Sequence, residues 1–99
     1  MSLPAIHPGK HVAEELKELN MSAAALARNL NVPTNRITEI LNERRAITAD
    51  TALRLGHFFG TSAEFWLNLQ KLYELRLAEK KARREIKTLP TLKPQHAHV

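Results

Sequence analysis

The stretch "SAAALARNLNVPTNRITEILNERR", residues 22–45, holds two short helical patterns separated by three residues that interrupt them. Ser22 is suited to an N-cap, because its hydroxyl can accept from a first-turn amide, and Met21 and Leu26 flank it as a hydrophobic staple. This helix is predicted to end near Leu30. Pro33 or Thr34 then opens a second helix that buries Ile37, Ile40 and Leu41 and stops around Asn42, since proline at a first helical position gives up no hydrogen bond. Two short helices so joined form a helix-turn-helix. Their close crossing needs a small residue in the first helix, a turn residue tolerant of positive φ, and a branched apolar residue in the second. Ala27, Asn31 and Ile37 supply these in order, with asparagine in the place more often taken by glycine.

In both directions the chain continues as helix. Pro8 is predicted to begin a first helix running through Val12, Leu16 and Leu19 to about Asn20. Beyond the central pair, Thr48 is predicted to N-cap a fourth helix through Ala52, Leu53, Leu55 and Phe58, closed by Gly60 in a left-handed cap. Thr61 to Glu64 has the spacing of a capping box and opens a fifth helix, from Ser62 to about Lys87. Its apolar set, which includes Phe65, Trp66, Leu69, Leu72 and Tyr73, is too wide for one core-facing stripe, so a second chain is the expected partner. No stretch alternates β-branched residues with period two. The fold class is therefore all-α, with one domain over residues 6–87 and a tail, "TLPTLKPQHAHV" (88–99), whose prolines and missing periodicity predict flexibility.

With Ile37, Ile40 and Leu41 turned inward, the third helix presents Thr34, Asn35, Arg36, Thr38 and Glu39 outward. These groups can read base edges of double-stranded DNA: arginine pairs bidentately with guanine, asparagine with adenine, threonine meets a hydroxyl partner or a thymine methyl, and glutamate accepts from cytosine. Arg44 and Arg45 follow the helix at a place suited to phosphates, as are the free amides beside Ser22. Such a polar face alone is ordinarily just solvated. The packing triad, the staple and the two arginines together turn the reading toward DNA. Glu39 fits least well, because a carboxylate near phosphates is repelled unless it finds a cytosine or an arginine.

Composition limits the other functions. Ninety-nine residues suffice for one core, and no apolar run approaches the ~20 residues of a membrane span. The absence of cysteine removes disulfides and thiolate chemistry and fits a cytoplasmic protein. The net charge of +5 is not spread evenly: residues 1–70 carry seven basic and seven acidic side chains, whereas residues 71–99 carry eight and three. Charge thus supports DNA binding only weakly. His7 and His11, four apart, lack a clear third metal ligand, and no nucleophile stands near an orienting base, so neither a metal, a cofactor, a small-molecule substrate nor an enzyme activity is expected.

Three segments, "IHPG" (6–9), "LARNLNVPTNRITEILNERRAITADTALRLGHFFGTSAEFWLNLQ" (26–70) and "YELRLAE" (73–79), resemble the HigA/VapI antitoxin branch of the XRE-type helix-turn-helix proteins without a gap. The resemblance implies a five-helix, lambda-repressor-like domain that dimerises through its long C-terminal helix. It further implies an antitoxin that neutralises a HigB-type, RelE-class mRNA-cleaving toxin and represses its own operon at a palindromic operator. The family's DNA contacts carry over to Thr34, Asn35, Arg36, Thr38, Glu39, Arg44 and Arg45. Glu43 departs from the pattern, because relatives often place glycine there in an "NGRR" turn. A basic toxin would suit the acidic face of Glu14, Glu15 and Glu18 on the first helix, although a plain solvated face explains those residues equally well. A stand-alone repressor without a toxin, or an interaction module that no longer touches DNA, remains an alternative.

Overall fold

A computed structural model describes residues 3–92 and contains, among them, helices and no strands: α1 (Gly9–Leu19), α2 (Ala23–Leu30), α3 (Thr34–Leu41), α4 (Ala49–Phe59) and α5 (Ala63–Lys87). The core consists of Val12, Leu16, Leu26, Ala27, Leu30, Ile37, Ile40, Ile47, Ala52, Leu55 and Trp66, so every helix and the segment before α4 contribute. No helix among the described residues is long and apolar enough to cross a membrane.

The short helices stop where the sequence gives them a left-handed residue. Asn20 (φ 52°), Asn31 (φ 57°), Glu43 (φ 61°) and Gly60 (φ 74°) follow α1, α2, α3 and α4. In each case the next amide reaches back to close the last turn: Met21 to the Leu16 carbonyl, Val32 to Ala27, Arg44 to Glu39 and Thr61 to Gly56, at 2.8–3.0 Å. Reversal after one left-handed residue is what makes the two central helices cross tightly. Ser22 caps α2 as predicted, its Oγ accepting from the Ala25 amide at 3.1 Å.

Two sequence expectations need correction. The cap of α5 is Ser62, whose Oγ accepts from the Phe65 amide at 3.0 Å, while Thr61 instead accepts from Trp66 Nε1 at 2.9 Å. The Thr61–Glu64 capping box therefore does not form. Thr48 occupies the N-cap position of α4 as expected, though without a side-chain bond to the helix, and Leu53 on that helix is 63% exposed. Trp66 is only 1% exposed: it lies in the protomer's own core beside Phe59 and Phe65, so it cannot meet a second chain. The tail beyond Leu92 lies outside the described residues; residues 88–92 are exposed.

Candidate nucleic-acid interface

The back of α3 is held by Ile37 and Ile40, both 1% exposed, and its front is left to polar groups. Thr34 and Asn35 are exposed at the first turn, while Arg36, Thr38 and Glu39 are half-buried along it. Thr38 Oγ1 donates to the Asn35 carbonyl at 3.3 Å, steadying the helix rather than reaching outward. Glu39 has found an arginine: Arg45 Nε donates to its Oε1 at 2.6 Å. This pairing neutralises the carboxylate that sat uneasily beside phosphates. Arg44, exposed, has no side-chain partner among the described residues, and Ser22 with the first amides of α2 opens to solvent on the same motif.

Arg36 is not loose either. Its Nη1 donates to Asp50 Oδ2 at 2.8 Å, and the same oxygen accepts from Arg54 Nε at 3.0 Å. Arg54 Nη1 continues to the Leu30 carbonyl at 2.8 Å, satisfying an end of α2 that has no helical partner. The two guanidinium groups, Arg54 first, hold the Asp50 carboxyl below its ordinary pKa despite some desolvation.

A second set of contacts fixes the loop after α3. His7, 2% exposed, accepts from the Gly9 amide through Nδ1 at 2.9 Å and packs edge-on against Tyr73 of α5 with ring centroids 4.8 Å apart. Burial lowers its pKa against the opposing influence of Glu43 and a backbone hydrogen bond to Arg45, so protonating the ring works against the fold. Gln70 Oε1 accepts from the Ile47 amide at 2.9 Å, and Gln70 Nε2 donates to Glu74 at 2.8 Å. The loop bearing Arg44 and Arg45 is thereby pinned on both sides to α5. Asp50, Arg54, Gln70 and the structural role of His7 escaped the sequence reading; only the buried-type spacing of Gln70 between Trp66 and Tyr73 hinted at one of them.

The helix-turn-helix family profile matches residues 12–66, the span from α1 to the start of α5. Virulence-associated protein I of Dichelobacter nodosus is 55% identical over 78 residues, covering 78% of this chain and 72% of its own length. The chain belongs to the HigA/VapI branch of the XRE-type helix-turn-helix family. Two solved structures agree with this HigA/VapI assignment. An addiction-module antidote protein of the HigA family from Coxiella burnetii is 54% identical with a TM-score of 0.88, covering 92% of this chain and 100% of that one. The antitoxin HigA of Pseudomonas aeruginosa, solved with the higBA promoter, is 42% identical with a TM-score of 0.86, over 91% and 100%.

Within this HigA/VapI scaffold Glu43 is the anomalous residue. A side chain with a Cβ in left-handed backbone costs roughly 1–2 kcal/mol, and Glu43 offsets only part of it through an exposed ion pair to Lys10 Nζ at 3.3 Å. Glu43→Gly is expected to raise the melting temperature by a few degrees, because the relief exceeds the ~0.5–1 kcal/mol of extra backbone entropy that glycine loses on folding. A fall in melting temperature, followed by circular dichroism, would show that the Lys10 pair outweighs the strain.

The remaining sequence-predicted residues lie away from α3. Phe65 and Leu72 are 43% and 47% exposed, Leu69 and Tyr73 are half-buried, and Glu14, Glu15 and Glu18 are all exposed on α1.

Proposed function

We propose that this protein is the antitoxin of a HigBA-like type II toxin–antitoxin pair and represses its own operon by sequence-specific DNA binding as a homodimer, in the cytoplasm. The observation that carries this reading is the ridge of α3, with Thr34 and Asn35 uncovered, on a scaffold that matches an antitoxin solved with its promoter. Laid in the major groove, α3 brings Asn35 and Arg36 to base edges, while Arg44 and the amides at the start of α2 meet phosphates. Two copies present their ridges about 34 Å apart, one turn of DNA, which calls for a palindromic operator.

Support for pairing comes from α5. Phe65, Leu72 and Ile86 recur on α5 at multiples of seven residues, and Leu75 lies three residues after Leu72; all are exposed. This is the repeat of a helix–helix seam. Trp66 is not part of it. The toxin, an RNA-cleaving and therefore basic protein, is placed against Glu14, Glu15 and Glu18 by charge complementarity. Reversing all three to lysine is expected to weaken toxin binding at least about tenfold while leaving operator binding intact; unchanged toxin affinity would remove that face from the proposal.

Gel-shift titration against the DNA upstream of the gene, at several salt concentrations, tests the DNA arm, and co-purification with the product of the neighbouring gene tests the toxin arm. Salt-dependent operator binding without a co-purifying protein would leave a stand-alone repressor.

A further inference from the structure

A recognition arginine discriminates well only if its guanidinium is aimed before the base arrives, and here a residue outside the helix-turn-helix performs the aiming. Asp50 stands in the first turn of α4 with a largely exposed side chain. One of its oxygens, Oδ2, takes Arg36 Nη1 at 2.8 Å and Arg54 Nε at 3.0 Å. Arg54 is itself tied to the turn of the motif through the Leu30 carbonyl at 2.8 Å and the Asn31 carbonyl at 3.4 Å. A continuous chain of bonds therefore runs from the turn, through Arg54 and Asp50, to Arg36 on the reading helix.

Only one nitrogen of the Arg36 guanidinium is engaged; Nε and Nη2 have no partner among the described residues. That leaves a pair of parallel donors, the arrangement that matches O6 and N7 of guanine. Glu39 of α3 is satisfied by Arg45 of the following loop, and Arg36, the one arginine within α3, still has donors to give. Asp50 also holds an exposed negative charge beside Arg36, which disfavours any duplex brought to α3 and rewards none. Holding an arginine in one orientation while weakening general affinity is the signature of a residue that serves selectivity.

We propose that Asp50, resting on the DNA-binding reading above and touching no base itself, is a specificity-determining positioning residue that aims Arg36 at a single guanine in each operator half-site.

The test is a set of operator duplexes carrying every single-base substitution, titrated by fluorescence anisotropy with wild type, Arg36→Ala, Asp50→Ala, Asp50→Asn and the Arg36→Ala/Asp50→Ala double variant. Asp50→Ala is expected to bind arbitrary DNA a few-fold more tightly and to lose about tenfold of discrimination at one base pair per half-site. That base pair is the one at which Arg36→Ala also becomes indifferent. In the Arg36→Ala background, loss of Asp50 is expected to change nothing further there, and Asp50→Asn, which keeps an acceptor, restores most of the discrimination. A merely structural role would lower affinity evenly at all positions, and that outcome, or an unchanged profile at the Arg36 position, overturns the proposal while DNA recognition stands. Failure of the wild type to prefer any operator sequence would overturn the DNA reading, and this inference with it.

Discussion

Gly9→Ala is expected to lower the melting temperature by roughly 12–24 °C, the equivalent of about 3 kcal/mol in a domain of this size. Local propensity argues the opposite: Gly9 is the first residue of α1, and alanine in a helix is favoured over glycine by ~0.8–1 kcal/mol. Packing decides the sign. A Cβ at Gly9 would overlap the carbonyl oxygen of Ile40, and would stand 3.0 Å from the Ile40 carbonyl carbon and 3.1 Å from His7 Nδ1. Ile40 belongs to α3, and its backbone is already committed to the closing turn that positions Arg44. No flexible side chain is available to move, so either α1 retreats from α3 or the reading helix shifts. Circular dichroism melts measure the first cost, and operator affinity at low temperature measures the second. A variant as stable as wild type would mean that α1 and α3 are not packed as closely as the crossing at Gly9 requires.

The contrast between Gly9 and Asn31 shows which parts of the fold can be read from sequence. Asn31, Ser22, Ala27, Ile37 and Gly60 were legible because each acts within one or two turns of its own helix: a cap, a reversal, a stripe at helical spacing. Gly9 acts on Ile40, thirty-one positions away, and nothing in its neighbourhood announces that contact. Gln70 to Ile47 and Arg54 to Leu30 are long-range bonds of the same kind, and both hold the segments that flank α3. His7 offered the sequence only an incomplete metal pair with His11; its bond from the Gly9 amide is local, but its burial depends on Tyr73, which no local pattern links to it.

Trp66 failed for a different reason. A helix apolar on most of its circumference must be covered on several sides, but periodicity does not say which residues face the protomer's own core and which face a partner. In α5 the division falls between Trp66 with Gln70, which are buried, and Phe65 with Leu72 and Leu75, which remain exposed. Thr61 and Ser62 posed a similar choice between adjacent hydroxyls, and Trp66 settled it by drawing Thr61 to its indole N–H.

Removing together the two side chains proposed to read bases, as Asn35→Ala/Arg36→Ala, is expected to weaken operator binding by about 10²–10⁴-fold, taking ~1–3 kcal/mol for each bidentate contact. The loss should appear on the operator and hardly at all on scrambled duplex, because non-specific affinity resides in phosphate contacts, which this variant leaves in place. The fold should survive: Asn35 is exposed, and loss of Arg36 leaves Asp50 paired with Arg54 at 3.0 Å. Salt dependence separates this effect from that of Arg44. The double variant keeps the wild-type slope of affinity against salt, whereas Arg44→Ala reduces that slope by about one released counterion and weakens operator and scrambled DNA alike. If the double variant held the operator as tightly as wild type, the outer face of α3 would be an ordinary solvated surface, and the DNA contact would have to be sought elsewhere, first on the basic stretch of Lys80, Lys81, Arg83 and Arg84 at the far end of α5.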